Sequence, residues 1–189
     1  MKDMSPNKAE FRRESILECA IDLLVDGGVE AVTMPRLSQC TGLSRPGIYQ
    51  YFSSREDILG EILINDMADL SNEIDRILAP IADPDEQIRV WIHYALAHVA
   101  SPQHRMIREI SMQLLPEEKR AELRAMHGYF LSTLISPLTK LGVTNPTAVC
   151  NMIFGVISAA AKRISQGATF TEEASTLERF VIAGIEAAQ

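Results

Sequence analysis

Cysteine, aromatic residues and long uncharged runs are scarce in this chain of 189 residues, and each shortage removes a class of protein. The three cysteines, Cys19, Cys40 and Cys150, are odd in number, far apart and never arranged as CxxC. Neither a disulfide framework nor a zinc cage is expected, and a reducing cytoplasm fits. Aromatics make up 6% of residues, and long stretches of Ala, Leu, Ile, Met, Glu and Arg contain few β-branched runs, which favours helix over strand. Met1–Pro6 lacks the apolar run of a signal peptide, and Lys8, Arg12 and Arg13 follow at once, so no export is expected. Leu141–Ala161 carries no charge, but Asn145, Pro146, Asn151 and Ser158 interrupt it. Its apolar part is too short to span a bilayer, and a buried helix is expected instead of membrane insertion. No GxSxG, GxGxxG, Walker loop or HExxH occurs, so an α-helical enzyme is disfavoured and neither a cofactor nor a metal site is expected.

What is present is the usual globular balance, 47% apolar and 23% charged residues, enough for a sizeable core in one compact unit or a small plus a medium domain. The net charge of −7 hides an asymmetry. Residues 1–55 hold seven Lys or Arg against seven Asp or Glu, whereas 56–189 hold eleven against eighteen. Between Ala31 and Arg55 there is no acidic residue, only Arg36, Arg45 and Arg55, so this window can approach phosphates without repulsion.

Caps and apolar spacing predict about nine helices. Ile16, Leu17, Ala20, Leu23 and Leu24 recur at three- and four-residue intervals from Pro6 to Asp26, and Gly27-Gly28 ends that run. Thr33 caps a second helix that Gly42 stops, and Ser44 caps a third running to Phe52. Ser53 and Glu56, at capping-box spacing, open a fourth helix to Pro80, long enough to link two domains. Asp83-Pro84-Asp85-Glu86 opens a fifth, ending before Pro102. Four more are expected over 103–115, 117–141 with a bend at Pro137, 146–166 and 171–188.

Within Thr33–Phe52 the spacing spells out a helix-turn-helix. Ser38 is small enough for two helices to approach, Gly42 supplies the positive φ of a tight turn, and Leu37, Leu43 and Ile48 fill the wedge. The outward residues Arg45, Pro46, Gly47, Tyr49 and Gln50 include hydrogen-bonding and stacking types without a carboxylate, as a major-groove reader requires. Helical phase turns Tyr49 outward and Phe52 into the core, while Tyr51 fits either side.

The run Thr33-Met-Pro-Arg-Leu-Ser-Gln-Cys-Thr-Gly-Leu-Ser-Arg-Pro-Gly-Ile-Tyr-Gln-Tyr-Phe52, followed by Ser-Ser-Arg-Glu-Asp-Ile-Leu59, resembles the TetR family of bacterial transcriptional regulators. The resemblance covers roughly residues 11–60. It implies an all-α chain with a three-helix helix-turn-helix DNA-binding domain, residues 1–55, and a divergent helical domain, 56–189, that binds a small effector and forms a homodimer. It matches Thr33 and Tyr49 to phosphate-holding positions, Arg45 and Gln50 to base-facing ones, and Arg55 to a usual lysine. Arg36 is expected to make a further phosphate contact. Pro46 stands where glycine is frequent and Gly47 where a side chain is common, which thins the reading surface. The candidate DNA-binding set is Thr33, Arg36, Ser44, Arg45, Pro46, Gly47, Tyr49, Gln50, Tyr51 and Arg55.

In the second domain Trp91, Tyr94 and His98 share a helix face, and Met112, Met126, His127 and Phe130 follow; these seven are the candidate lining of an effector pocket. His93 and His98 are five apart, off the helical pattern, so no metal pair is expected. The last two helices carry apolar residues on more faces than one core needs. Met152, Gly155, Ala159, Phe180, Val181, Gly184 and Ile185 are therefore the candidate dimerisation residues of a four-helix bundle. The expectation is a cytoplasmic, ligand-responsive repressor of a palindromic operator, with two alternatives: a DNA-binding regulator without effector, and an α-helical enzyme.

Overall fold

The computed structural model describes residues 6–189, and among the described residues every regular element is helical and none is a strand, which is the all-α class expected. Met1–Ser5, within the segment read for an export signal, lie outside the described residues. The helices are α1 (Pro6–Gly27), α2 (Met34–Thr41), α3 (Arg45–Ile48), α4 (Arg55–Leu78), α5 (Pro84–Ala100), α6 (Pro102–Ile107), α7 (Glu117–Ser132), α8 (Ile135–Lys140), α9 (Pro146–Ser165) and α10 (Phe170–Glu186). Single 3-10 turns stand at Val29–Ala31 and Met112–Leu114.

The chain forms two compact units, the first comprising the residues up to Asp66 together with Arg105–Leu123, the second Met67–His104 and Arg124–Gln189. The first unit thus extends beyond the 1–55 expected and recruits a distant segment. Lys119 accounts for this: its ammonium pairs with Glu61 and lies 3.9 Å from Asp57, and its stem packs on Gly60, where an added Cβ would stand 3.0 Å from Lys119 Cγ. A partner 58 residues away leaves no local trace in sequence.

In the first unit α1 buries Ile16, Leu17, Ala20, Leu23 and Leu24, the stripe expected. It ends at Gly27, and Gly28 turns the chain with φ +68°. The cysteines depart from the expectation of no disulfide. Cys19 on α1 and Cys40 on α2 are bonded to each other, because the two helices pack side by side and bring their Cα atoms to 6.1 Å, inside the range a disulfide spans. Cys150 is free and buried. The cap of α4 also differs by one residue: Asp57 N–H donates to Ser54 Oγ at 3.0 Å, and the Asp57 carboxylate reaches back to Ser53 N–H at 2.8 Å. Ser54 with Asp57, rather than Ser53 with Glu56, starts the helix.

In the second unit α5, α9 and α10 pack together around Ile88, Trp91, Ile92, Ile153, Ile157, Leu177, Val181 and Ile185. Asp83 caps α5 as expected, accepting from the N–H groups of Asp85 and Glu86. The helix expected over 117–141 is broken at Thr133–Leu134, and Pro137 does not bend it but sits in the first turn of α8, where a missing N–H is harmless. The expected 103–115 helix stops at Ile107, where three-residue bonds from Glu109 N–H to Met106 O and Ile110 N–H to Ile107 O tighten and end it. α9 is long and apolar enough by composition to cross a membrane, yet one of its faces, Ile153, Ile157 and Ala160, is buried in this core.

Candidate nucleic-acid interface

Two side-chain caps and one glycine build the α2–turn–α3 motif. Thr33 Oγ1 accepts from Arg36 N–H at 3.4 Å to start α2, Gly42 ends it with φ +69°, and Ser44 Oγ accepts from Gly47 N–H at 3.2 Å to start α3. Inside the turn Ser38 Oγ donates to Leu43 O, Thr41 Oγ1 donates to Leu37 O at 2.7 Å, and Leu43 N–H returns to Thr41 Oγ1 at 3.2 Å. Such a turn satisfies its own polar groups. Leu37 and Ile48 are fully buried beneath it and Leu43 half-buried.

α3 is a single turn, shorter than the run to Phe52 expected. After Ile48 the N–H groups of Tyr51 and Phe52 both return to Ile48 O, at 2.9 and 3.2 Å, and Phe52 drops into the core. The Arg13 guanidinium lies 4.5 Å over the Phe52 ring and donates to Tyr51 O at 3.4 Å, and Tyr51 is half-buried. Ser44, Arg45, Pro46 and Gln50 are exposed, and Tyr49 keeps 52% of its surface in solvent. Gly47 is half-buried, and a Cβ there would press on Ser44 Oγ at 3.3 Å, so the cap itself favours glycine. Arg36 is exposed in the first turn of α2, with Thr33 half-buried at its start.

Arg55 is engaged inward. Its Nε donates to Val32 O and its Nη2 to Val29 O, both at 2.6 Å, and Glu30 and Glu56 lie 3.7 and 3.6 Å from the guanidinium. It clamps the 3-10 turn that delivers Thr33.

The seven residues expected to line an effector pocket are not brought together. Trp91 and Phe130 stack in the core with ring centroids 4.7 Å apart, and Trp91 Nε1 donates to Thr133 Oγ1 at 2.8 Å. Tyr94 and His98 line a cleft of about 390 Å³ with Glu73 and Arg76, whereas Met126 lines another of about 360 Å³ with Ser71 and Tyr129. His127 meets Phe154 edge-on, and burial pulls its imidazole below the ordinary value. Met112 belongs to the first unit and is exposed.

A larger cleft of about 580 Å³ went unanticipated. Ile77, Val90, Ala97 and Phe170 give it apolar walls, and Glu86, Arg89, His93, Tyr94 and Glu178 give it polar ones. Glu178 accepts from His93 at 2.7 Å and from Arg89, and the His93 bond, with that of Arg89 and against the effect of burial, holds its carboxyl below the usual range. The available signal was the four-residue spacing of Arg89 and His93, which places both on one helix face.

The candidate dimerisation residues divide. Met152 and Phe180 are 68% and 63% exposed, and Gly155, Ala159 and Gly184 are exposed beside them in sequence phase, while Val181 and Ile185 are buried in this chain's own core.

Residues 16–62 match the family model described as bacterial regulatory proteins, tetR family. An uncharacterized HTH-type transcriptional regulator of Mycobacterium tuberculosis is 24% identical over 154 residues, which covers 71% of this chain and 81% of that one. Among solved structures, the transcriptional regulator FadR from Bacillus subtilis in complex with stearoyl-CoA superimposes with a TM-score of 0.73 at 17% identity, over 90% of this chain and 98% of that one. AibR in complex with isovaleryl coenzyme A and operator DNA does so with a TM-score of 0.69 at 21% identity, over 88% and 96%. The matched residues enclose the whole capped α2–turn–α3 motif, and the remaining helices follow the architecture of these solved structures: over residues 16–62 the chain is similar to the tetR family of bacterial regulatory proteins, and it shares their fold.

Proposed function

We propose that this protein is a cytoplasmic, homodimeric repressor that holds a palindromic operator and releases it when a small molecule binds the second unit. The observation that carries the reading is the surface of α3 and the turn that follows it: Arg45 on α3, and Tyr49 and Gln50 directly after it, stand in solvent without a carboxylate, while Ile48 on the other face of α3 is locked in the core. Arg45 and Gln50 serve as base readers, Tyr49, Thr33 and Arg36 as phosphate contacts, and Arg55 as the residue that positions Thr33. The role is regulatory and not catalytic.

The exposed stripe of Met152, Gly155, Ala159, Phe180 and Gly184 supports a two-fold bundle of α9 and α10 from two chains. Symmetry then sets half-sites about one helical turn apart, roughly 34–36 Å. For the effector, the cleft bounded by Arg89, His93, Tyr94 and Phe170 offers an apolar wall with a few convergent polar groups. Acyl thioesters of coenzyme A are the first class to screen, because FadR and AibR each hold one. α4 runs unbroken through residues of both units and is the proposed transmitter. An effector weakens DNA binding only through its unequal affinity for two conformations, typically 1–3 kcal/mol of coupling, and DNA must weaken effector binding equally.

The test is selection of bound DNA from a random pool, followed by a screen of small molecules for release of the selected site. A palindromic consensus released by one class of compound is expected. Recovery of no preferred sequence would overturn the reading.

A further inference from the structure

Cys19 and Cys40 are unlike in their access to solvent. Cys19 is 9% exposed on the buried side of α1, whereas Cys40, on α2, lies at the surface. Cys40 is the residue of the pair that solvent reaches, and Cys19 is the one that packing covers. Disulfides inside cells are mostly transient, catalytic or redox-sensing, so a bonded pair in an intracellular DNA-binding domain calls for a reversible chemistry.

We propose that Cys19 and Cys40 are a thiol-oxidation site, modified by low-molecular-weight disulfides, at which oxidation staples α1 to α2 and makes the DNA-binding motif more resistant to unfolding. The steps balance. The Cys40 thiolate attacks one sulfur of the small disulfide, forming a mixed disulfide and expelling one small thiolate. The Cys19 thiolate then attacks Cys40 Sγ and expels the second. The two cysteine thiols are oxidised to one disulfide, the small disulfide is reduced to two thiols, and the two protons lost by the cysteines are carried by those thiols. Cys40 attacks first because it is exposed, and Cys19 resolves because it faces Cys40 with the two Cα atoms 6.1 Å apart. Cys150 stays out of the exchange: it is buried, and burial pushes its thiol up to about 11.

The consequence follows from what the bond encloses. Between the two cysteines lie the end of α1, Gly28, the 3-10 turn and the Thr33 cap, so the 21-residue separation closes a loop around the segment that sets α2 and the motif. Closing such a loop removes freedom from the unfolded chain. The geometry of the motif is intact with the bond formed: both caps and the Gly42 turn are in place. Oxidation therefore preserves the DNA-binding shape. The effect on DNA binding and the intracellular setting that calls for a reversible bond rest on the function proposed above, whereas the exchange steps themselves do not.

The test uses the full chain, reduced with dithiothreitol and then treated with glutathione disulfide. A non-reducing peptide map is expected to show Cys19 joined to Cys40 with no glutathione retained, Cys150 still free, and the whole reversed by dithiothreitol. The thermal midpoint of the first unit should rise by on the order of 10 °C, and the temperature at which half the DNA binding is lost should rise with it. C40S should abolish the response, and C19S should keep one glutathione on Cys40. C40S, at the exposed position, carries the test if C19S fails to fold. Glutathione persisting on Cys40 of the natural chain, a bond between two chains, or equal thermal midpoints in the two forms would overturn the proposal. Intact thiol exchange with no DNA binding in either form would instead count against the functional reading.

Discussion

Arg55 donates its Nε–H to the carbonyl of Val32 at 2.6 Å, one residue before the cap that starts the helix-turn-helix. With its second bond to Val29 O, the side chain acts as a brace for the Thr33 approach and not as a free cation. Arg55→Ala is expected to cost about 1–3 kcal/mol of stability, because charged donors to carbonyls are lost, and to weaken binding to all DNA sequences alike. Arg55→Lys should recover only part, since an ammonium lacks the planar fork that reaches two carbonyls. Urea unfolding decides it: weaker DNA binding with undiminished stability would make Arg55 a direct phosphate contact.

Arg45 and Arg36 should separate into two kinds of contact. Arg45→Ala is expected to cost about 1–3 kcal/mol on the selected site and to relax preference at one position. Arg36→Ala should weaken every sequence equally and flatten the salt dependence by about one phosphate. Both residues are exposed, so unfolding midpoints should not move. Anisotropy titrations at several salt concentrations supply the check, and wild-type binding by Arg45→Ala would sink the reading of α3.

Trp91 belongs to the core. It is fully buried against Phe130, and its indole N–H is already satisfied by Thr133. Trp91→Ala should cost about 3–5 kcal/mol in a denaturant titration. An unchanged midpoint would return Trp91 to the set that contacts an effector.

Glu61 makes the first unit acid-sensitive. Burial pushes its carboxyl up, but hydrogen bonds from Lys119 and Arg13 outweigh this and hold it below the ordinary value. A carboxyl depressed in the folded state contributes stability above its unfolded pKa, about 4.3, and loses it as pH falls through the folded value. Glu61→Gln should be less stable at pH 7 and show a flatter decline below about pH 5. Parallel pH profiles for the two chains would contradict the assignment.

Ala159 is exposed beside Phe180 in a shallow cleft formed by α9 and α10. Ala159→Arg should leave the chain folded and monomeric, with much weaker operator binding, because the charge would enter the proposed bundle without a partner. Sedimentation that still shows a dimer would move the interface elsewhere.

Local chemistry was legible. Thr33, Ser44 and Asp83 cap their helices as their neighbours predict, because a cap needs only the next three residues. What escaped was long-range. Cys40 finds Cys19, Lys119 finds Glu61, and Glu178 finds both Arg89 and His93; the spacing of Arg89 and His93 puts those two on one face, but no periodic signal names the distant partner in any of these meetings. α10 shows an intermediate case: its amphipathic pattern was clear, but only packing decides that Val181 and Ile185 face inward while Phe180 faces out. Trp91 misled for a related reason, since an aromatic at helical spacing looks the same in a core and in a pocket wall.

The single turn of α3 limits how much sequence one chain can read. Four residues rise about 6 Å along the helix, and base pairs are stacked about 3.4 Å apart, so the rigid part of the reader faces roughly two steps of the duplex. A word that short recurs throughout any genome. In the proposed homodimer, information therefore comes from the distance between two copies of the word, and a change that alters the spacing between recognition helices would erase the message even with every base contact preserved.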